Sequence, residues 1–423
     1  GSLHGQIQFE PFHELGMKWA RDFLPGLSFL ASSLEIWKTL GEKLNTDLEV
    51  GGKGGLMVAE SAADMVALEA KVKLENEVGI ASRLIDQKEL QEMAPYISQK
   101  MLGAAYCPIE GKANPLVTAP AFAARAKDAG ATITTGVEVL DISKENGKFK
   151  LHTDVGDFFA EKVVLTANAG LPKLAKSLGL DLPISDVPVQ VSVTEQVEKF
   201  VNHLIYFTTE KLTFKQANSG SLLIGGGWPA RYDNSGEAVL NLDSLQSNLR
   251  VALKVCPSIS KVKVIRTWIG VGNGTPDHNP VIGEIPNTPG AYVGMYPYMG
   301  FTASPLLGEV LSDLNSIKLE NKQIGQSNPI QRRLLGLLTA PEERLGHAAA
   351  PEMSLAENTL LSGFQRQKLG RRGFLNKPGA IAFAEKIVQQ FDVRTPSVRN
   401  GAKSLSGGNL QKFVIGREIL QNP

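Results

Sequence analysis

Residues 296–305 read Tyr-Pro-Tyr-Met-Gly-Phe-Thr-Ala-Ser-Pro and directly follow an apolar run at residues 291–294. This order of strand, glycine turn and apolar repeat predicts an α-helix that begins near Gly300 and ends near Leu314. The start of such a helix offers unpaired N–H groups and the positive end of a dipole, which suit an anionic ring. The stretch therefore predicts a ligand site where a sheet meets a helix.

The preceding thirty residues support this interpretation without settling it. Residues 266–270 read Arg-Thr-Trp-Ile-Gly, and residues 275–283 read Thr-Pro-Asp-His-Asn-Pro-Val-Ile-Gly. A strand that feeds a glycine turn fits the edge of a ligand site. The alternative is purely structural, with Arg266 and Asp277 as an ion pair and the nearby aromatic residues as core.

Two further segments have the small residues that a flat ligand needs. Residues 1–6 read Gly-Ser-Leu-His-Gly-Gln, and their glycines allow close approach of the backbone; a solvated surface loop is the alternative. Residues 163–170 read Val-Val-Leu-Thr-Ala-Asn-Ala-Gly, a buried strand that ends in small residues where α/β folds bind cofactors. A tight strand-to-loop turn explains that segment equally well.

Local patterns predict the other elements. Helical periodicity at residues 12–44 should break at Pro25-Gly26, and the glycine-rich residues 51–55 should lead into a strand. Ser61 should cap a helix, and Asn114-Pro115 should open a helix that Gly130 closes. Predicted strands lie at residues 132–134, 137–142, 148–153, 187–195, 204–208 and 222–224, the first within a βαβ unit and the last three in an antiparallel sheet.

Composition excludes several classes of protein. The chain has 423 residues, a net charge of +1 and two cysteines, so neither a disulfide framework nor a main role in nucleic-acid binding is expected. No apolar run is long enough to span a bilayer and no signal peptide is visible, which favours the cytoplasm. Residues 331–423 carry 14 Lys+Arg against 7 Asp+Glu, whereas residues 1–330 have an acidic excess. This asymmetry predicts two segments of different origin, joined by a polar linker at residues 315–329.

In this order, the motifs of the first segment resemble the FAD-dependent D-amino acid oxidase superfamily. Within it, the chain is most similar to glycine oxidase, the sarcosine oxidase β-subunit and opine oxidase-type subunits, over residues 1 to about 314. The resemblance implies an α/β fold with α+β elements. A Rossmann-like FAD-binding domain would include residues 1–60, 115–180 and 265–314, and a substrate domain with a mixed or antiparallel sheet would include residues 60–114 and 181–264.

The resemblance also implies a site. His4 and Tyr298 are expected on the substrate side as catalytic residues, and a neutral His4 could assist substrate deprotonation. The expected reaction is oxidation of the C–N bond of an amine or amino acid to an imine, with oxygen, a quinone or a partner subunit as electron acceptor. No metal is expected. The residues expected to bind FAD are Gly1, Ser2, Leu3, His4, Gly5, Gln6, Val139, Ala169, Gly170, Gly300, Phe301 and Thr302.

Two departures from the family pattern matter. The glycine-rich dinucleotide fingerprint and its acidic ribose ligand would lie before Gly1, so we expect a truncated domain without its first βαβ unit and with weakened FAD binding. Residues 51–55 cannot substitute, because they follow a helix and open none. Gly272 stands where glycine oxidase-type members have a substrate-carboxylate arginine. No cysteine occupies the flavin-facing turn, so the FAD is expected to be non-covalent.

The second segment carries a different motif. Residues 405–412 read Leu-Ser-Gly-Gly-Asn-Leu-Gln-Lys and resemble the signature motif of ABC transporter ATPases, whose glycines and serine form a cradle for a γ-phosphate. With residues 341–347, 353–358 and 391–394, the resemblance to a sugar- or nucleoside-type importer ATPase runs from about 335 to 423. The signature residues are Ser406, Gly407, Gly408 and Asn409. No phosphate loop occurs, and a solvated helical subdomain is favoured over a nucleic-acid patch.

The sequence therefore predicts a flavin amine or amino-acid oxidoreductase at residues 1–314, a junction at residues 315–334 and a mainly helical ABC ATPase fragment at residues 335–423. The alternative functions are the ATP-binding component of an importer and an inert chimeric scaffold. A genuine fusion and an assembly artefact both remain open, and missing pieces at both ends favour the artefact.

Overall fold

Residues 1–312, 318–319, 322–323, 333, 348–371 and 374–421 are the part of the chain that the computed structural model describes. The chain divides into two units, Gly1–Ser312 and Asp313–Pro423, and each is described by itself. Of the junction predicted at residues 315–334, only 318–319, 322–323 and 333 are among the described residues.

The first unit alternates strands and helices. Its strands are β1 (Ser2–Leu3), β2 (Gly55–Ala59), β3 (Arg83–Asp86), β4 (Gly103–Cys107), β5 (Gly111–Lys112), β6 (Val139–Glu145), β7 (Lys148–Thr153), β8 (Gly156–Ala160), β9 (Val163–Leu165), β10 (Ser185–Gln196), β11 (Leu204–Phe207), β12 (Thr213–Gln216), β13 (Ser221–Gly225), β14 (Arg231–Tyr232), β15 (Ala238–Val239), β16 (Val264–Gly274), β17 (Val281–Glu284) and β18 (Ala291–Met295). Its α-helices are α1 (Phe9–Asp22), α2 (Leu24–Leu44), α3 (Ala62–Glu77), α4 (Gln87–Met93), α5 (Pro115–Asp128), α6 (Leu171–Ser177), α7 (Leu242–Val255) and α8 (Gly300–Ser312).

A mixed eight-stranded sheet organises this unit, in the order β16-β10-β13-β12-β11-β2-β4-β3. Its only parallel pair is β11 with β2, and the other neighbours are antiparallel. A three-stranded sheet, β17-β18-β9, contains a second parallel pair, β18 with β9. Strands β6, β7 and β8 form a separate antiparallel sheet.

Strands β2 and β11 are buried on both faces. Their successive side chains point alternately into two different hydrophobic cores. Leu56 and Val58 pack with Ile205 and Phe207 against the α4 and α7 side of the sheet. Met57, Ala59, Leu204 and Tyr206 face the opposite side, with Phe9 of α1 and Leu68 of α3. Because successive side chains point to opposite faces, Tyr206 is directed to the side on which the N-terminal segment lies.

Several local predictions are confirmed. The Ser61 hydroxyl accepts a hydrogen bond from the Asp64 N–H at 3.1 Å, and the Asn114 side chain accepts one from the Leu116 N–H at 3.1 Å. Residues 51–55 follow helix α2 and lead into strand β2, without opening a helix. The N-terminal helical region is interrupted at Gly16, whose φ is 78°, and at Phe23 between α1 and α2. It does not break at Pro25-Gly26, because proline is tolerated in the first turn of α2.

Two predictions near residue 130 are wrong. Residues 132–134 are exposed and form no strand, since no neighbouring strand among the described residues pairs with them. The βαβ unit expected there is absent from this described region, where β6 pairs antiparallel with β7 and β7 with β8. The alternating pattern that predicts strands carries no information on their direction.

Two further findings concern the whole of the described chain. The thiols of Cys107 and Cys256 are both free and buried, and they belong to cores on opposite sides of the large sheet. None of the described helices is both long enough and apolar enough to cross a membrane.

The second unit has a small core built from helices. A capping box at Ser354 and Glu357 starts the helix Leu355–Asn358, and Asn358 hydrogen-bonds the backbone of residues 350, 353 and 354. Its described elements are β19 (Lys318–Leu319), β20 (Lys322–Gln323), α9 (Leu355–Asn358), α10 (Leu360–Gly363), β21 (Gly370–Arg371), β22 (Phe374–Leu375), α11 (Lys377–Gln390) and α12 (Gly407–Ile419).

Candidate active site

Thr302, in the first turn of α8, joins this helix to the N-terminal segment. Its hydroxyl accepts a hydrogen bond from the His4 N–H at 2.9 Å and donates to the Ser2 carbonyl at 3.3 Å. Its own carbonyl accepts from the Ser33 hydroxyl at 2.7 Å and the Trp37 indole at 2.9 Å. Two distant segments that the sequence assigns to one site, residues 1–6 and 300–302, therefore lie side by side.

Packing around Gly1 and Leu3 strengthens this junction. A Cβ atom at Gly1 would lie 3.1 Å from Cγ of Phe301 and closer still to the ring edge, so only glycine fits there. Leu3 is buried with Leu34 and Trp37 of α2, and β1 pairs with β5. The segment is consequently fixed by both apolar and backbone contacts.

The His4 side chain is half-buried, which argues against the solvated-loop alternative. Its Nδ1 lies 2.8 Å from the hydroxyl of Tyr206. Burial, followed by the nearby charge of Lys215, lowers the pKa of His4 to about 3. The imidazole is therefore neutral at physiological pH, with one ring nitrogen unprotonated.

A buried carboxylate, Glu110, lies behind this pair. It accepts hydrogen bonds from the N–H groups of Gly5 at 2.7 Å and Gln6 at 3.0 Å, from the Gln6 amide at 2.7 Å and from the Tyr206 hydroxyl at 3.0 Å. Burial raises the pKa of Glu110 to about 7, although these hydrogen bonds and Lys71 act in the opposite direction. A carboxyl with such a pKa is well suited to exchange protons near neutral pH.

A buried ion pair continues the network. Lys71 Nζ lies 2.5 Å from Glu75 Oε1, one turn away on α3, and donates to the Gln6 amide oxygen at 2.9 Å. The Ile7 N–H also donates to Glu75, at 2.8 Å. The residues 4–7 are thus attached to the large sheet and to α3 by side chains that are almost all buried.

Sequence reasoning missed Glu110, Tyr206 and the Lys71–Glu75 pair. A tyrosine in the otherwise apolar strand β11 was a usable signal, because a buried phenol needs a hydrogen-bond partner. The sequence around Glu110 contains no such signal, since a single acidic residue before Gly111 is typical of a surface turn. Lys71 and Glu75 have the i, i+4 spacing of ordinary exposed helix pairs.

Tyr298 lies in a separate cluster near the end of β16. Its backbone is left-handed, with φ of 58°, and its ring lies 4.9 Å from that of His278. A Cβ at Gly274 would overlap its hydroxyl, and its side chain is 51% exposed. A tyrosine with left-handed backbone and an exposed ring is typical of functional sites.

Asn273, next to Tyr298, is 3% exposed, and neither its amide nitrogen nor its amide oxygen has a hydrogen-bond partner among the described residues. An unpaired buried amide costs stability unless a ligand or water satisfies it. The position that the resemblance gives to a carboxylate-binding arginine, Gly272, is its neighbour on β16. The structure therefore leaves polar groups free at this end of the site.

The remaining predicted residues lie elsewhere in the first unit. Val139 begins β6 and pairs with Thr153. Ala169 and Gly170 lie in an exposed 3-10 turn after β9. The Asn168 side-chain amide in this turn donates a hydrogen bond to the Val271 carbonyl at 3.1 Å. Arg266 and Asp277, both described and exposed, form no ion pair with each other.

Comparison with known proteins now places the chain. The family described as FAD dependent oxidoreductase, abbreviated DAO, matches residues 4–314. The chain belongs to this family. Its fold and its cofactor class, FAD, follow from that membership.

Individual relatives agree with the family. The chain is 27% identical to sarcosine oxidase subunit beta of Arthrobacter sp. over 261 residues, which cover 60% of this chain and 64% of that protein. It is 27% identical to glycine oxidase of Geobacillus kaustophilus, over 74% of this chain and 81% of that protein. The structure of L-proline dehydrogenase from P. horikoshii is similar in fold, with a TM-score of 0.63, 24% identity and coverage of 68% of this chain and 78% of that one.

A different relative matches about a quarter of the chain. The guanosine import ATP-binding protein NupO of Bacillus subtilis is 35% identical over 112 residues, which cover 26% of this chain and 22% of that protein. In the second unit, the residues 406–409 form the start of α12, with the Asn409 amide donating to the Ser406 hydroxyl at 3.0 Å and accepting from the Arg394 N–H at 3.0 Å. The assignment of residues 406–409 as an ABC signature stays a prediction.

The first unit fits a flavin on two observations. Asn273 is buried with its amide unpaired among the described residues, and a Cβ at Gly300 would meet no atom within 4 Å, so the start of α8 is open. Residues 1–6 and 300–302 would hold the flavin side of the cofactor. Ala169 and Gly170, exposed after a parallel strand, would line its dinucleotide side.

Proposed function

We propose that the first unit catalyses FAD-dependent oxidation of the C–N bond of an amine or amino acid to an imine. The observation that carries this proposal is the junction at Thr302, which brings the segment of His4 to the start of α8. Sarcosine, glycine, D-amino acids and opines are the substrate classes we propose. The relatives named sarcosine oxidase subunit beta and glycine oxidase support the first two.

The chain's own residues have defined roles in this proposal. FAD, when bound, would supply the two-electron acceptor that takes a hydride equivalent from the substrate carbon. His4 takes a proton from the substrate amine at the unprotonated nitrogen of its neutral imidazole. Because its pKa is about 3, it does not keep that proton as an imidazolium. Lys215, whose Nζ donates to Ser2 Oγ at 2.7 Å, supplies a positive charge beside it. That charge favours the neutral amine, the form that can be oxidised.

Tyr298 and Asn273 are proposed to line the substrate side. The Tyr298 ring is exposed, and the Asn273 amide can hydrogen-bond a substrate or flavin oxygen. We also propose that a partner subunit or small acceptor reoxidises the flavin, which the subunit name of the Arthrobacter relative suggests. The cytoplasmic location stays a prediction that rests on the two free thiols.

Anaerobic flavin reduction tests this function. The chain loaded with FAD should lose its flavin absorption on addition of at least one of the four substrate classes. His4→Gln should slow that reduction by about 10²-fold, the usual contribution of a general base. His152→Gln, at an exposed histidine of β7, is the matched control and should leave the rate unchanged. If no amine bleaches the flavin, the proposed activity is wrong.

The second unit supports a second candidate function, carried by the identity to NupO and by the geometry of residues 406–409. We propose that it is a signature-bearing segment of an importer ATPase, which contacts a nucleotide held by another subunit. Binding of a fluorescent ATP analogue should require a phosphate-loop domain supplied in trans. Ser406→Arg should abolish the binding, whereas Ser404→Arg, at a neighbouring exposed serine, should not. Equal binding by both variants would refute this candidate.

A further inference from the structure

His4, Tyr206 and Glu110 form a continuous line of hydrogen bonds. The Nδ1 of His4 is 2.8 Å from the Tyr206 oxygen, and that oxygen is 3.0 Å from Oε1 of Glu110. His4 directly follows β1, Tyr206 lies in β11, and Glu110 directly precedes β5. Tyr206 and Glu110 are 3% exposed, so water does not compete for these bonds.

The donors around Glu110 determine which way the line runs. Two backbone N–H groups and the Gln6 amide point at the carboxyl oxygens, and none of these donors can reverse. When Glu110 is ionised, Tyr206 must therefore donate its proton to it. The Tyr206 oxygen then accepts from His4 Nδ1–H, and the lone pair of His4 lies on Nε2.

Protonation of Glu110 reverses the whole line. The carboxyl proton can then be donated only to Tyr206, which is the one partner able to accept. The Tyr206 hydroxyl in turn donates to His4 Nδ1, so that Nε2 carries the proton. One proton on Glu110 thus selects the tautomer of an imidazole two hydrogen bonds away.

We propose that Tyr206 relays a proton from His4 to Glu110. A proton binds at His4 Nε2 as the Nδ1 proton passes to the Tyr206 oxygen, and the original Tyr206 hydroxyl proton passes to Glu110. The N–H bond at His4 Nε2 and the O–H bonds of Tyr206 and Glu110 form. The bond from the proton to its donor, the His4 Nδ1–H bond and the original Tyr206 O–H bond break, with no change in oxidation state. His4 is neutral before and after, and Glu110 changes from −1 to 0.

The surroundings favour this outcome over a charged imidazole. His4 faces Lys215, whose positive charge disfavours a second positive charge on the imidazole. Glu110 faces Lys71, which stabilises the carboxylate, whereas the neighbouring Glu75 and Cys107 add no positive charge. The pKa of Glu110, raised by burial to about 7, makes it a competent acceptor near neutral pH.

The relay rests on the proposed function only for the source of the proton, which would be the substrate amine. Tyr206 and Glu110 are accordingly positioning residues, and His4 alone would touch the substrate. The tautomer of His4 can be measured without FAD or substrate. Failure of the relay and failure of the activity are therefore distinguishable.

Nitrogen-15 NMR of the imidazoles tests the relay in the whole chain. The His4 signals, assigned by their loss in His4→Gln, should change from the Nδ1–H to the Nε2–H tautomer as the pH falls from about 8.5 to about 5.5. Glu110→Gln should abolish the pH dependence, because the line then has no titrating end. Tyr206→Phe, which preserves the ring, should abolish it as well.

The chain contains a matched internal control. His203 Nδ1 lies 2.7 Å from the Tyr96 hydroxyl, but no carboxylate hydrogen-bonds that tyrosine among the described residues. Burial, followed by Lys53, lowers the pKa of His203 to about 4. Its tautomer should therefore stay constant over the same range, and unchanged His203 signals in each variant show that the fold is intact.

Each result decides the proposal. A His4 tautomer that stays fixed over this pH range, or one that still switches in Tyr206→Phe, overturns the relay. In the FAD-loaded chain, Tyr206→Phe should slow flavin reduction by an amine about 10²-fold with unchanged substrate affinity. A switching tautomer without any flavin reduction would keep the relay and reject the proposed activity.

Discussion

Gly55→Ala should be among the most damaging single-atom additions in the first unit. A Cβ at this position would lie 2.8 Å from Cδ of Glu110 and 3.1 Å from the Gln6 amide nitrogen, and it would overlap Glu110 Oε2. Ordinary contacts between carbon atoms are about 3.5–4.0 Å, so the carboxyl must move by about 1 Å. The residue lies inside the buried strand β2, which cannot yield instead.

The magnitude follows from the bonds that this movement breaks. The Gln6 side-chain bond at 2.7 Å and one of the two backbone bonds to Glu110 would be lost. Hydrogen bonds to a charged group contribute about 1.5–3 kcal/mol each, so two of them amount to about 3–6 kcal/mol. Since domains are typically stable by about 5–15 kcal/mol, a large part of the total would disappear.

Urea unfolding monitored by tryptophan fluorescence measures the effect. Gly308→Ala is the matched control, because it is an exposed glycine in α8 whose Cβ would meet no atom within 4 Å. That variant should gain up to about 1 kcal/mol from helix propensity. The structural account of Glu110 would be refuted if Gly55→Ala unfolded within about 1 kcal/mol of the wild type while Gly308→Ala behaved as expected.

Three further predictions follow from buried polar groups. The folded state raises the pKa of Glu110 to about 7, so it keeps a proton that the unfolded chain releases near its ordinary pKa of about 4.3. The Glu110 contribution to the free energy of unfolding should therefore fall by about 4 kcal/mol as the pH rises through that window. The difference in urea stability between the wild type and Glu110→Gln at about pH 5 and pH 8 measures it, and a constant difference contradicts it. Thr302→Val leaves the His4 N–H unpaired and should cost about 1–3 kcal/mol, whereas Thr39→Val, on the exposed face of α2, should be nearly neutral. In the second unit, Asn358→Ala removes bonds to residues 350, 353 and 354 and should lower its unfolding midpoint, while Asn400→Ala should have a much smaller effect; equal midpoints would contradict this.

Much of the fold could be predicted because its signals are local. The caps at Ser61 and Asn114, the strand at residues 163–165 and the helix that begins at Gly300 each depend on a few adjacent residues. Strand direction depends on the partner strand, which explains the wrong βαβ unit near residue 130. A strand at residues 132–134 failed for the same reason, since periodicity cannot supply a neighbour.

The site residues likewise divide into those that local motifs indicate and those that depend on distant partners. Residues 1–6 and 300–302 were found through a resemblance of ordered motifs, and the structure brings them together at Thr302. Glu110, Lys71 and Glu75 come from three different elements and meet only after the sheet has formed. Long-range polar networks of this kind leave no periodic trace in a sequence, so they must be identified from coordinates.

The two free thiols offer a use that has nothing to do with catalysis. Cys107 lies behind the segment of residues 4–7, with its Sγ 3.9 Å from the Gly5 carbonyl, whereas Cys256 lies under α7 on the opposite face of the same sheet. Burial raises the pKa of both thiols, so a labelling reagent reaches either one only during a transient opening. The two labelling rates therefore report how often each face of the sheet opens, in a chain that needs no introduced cysteine. Faster labelling of Cys107 alone would locate the first opening of the native state at the N-terminal segment.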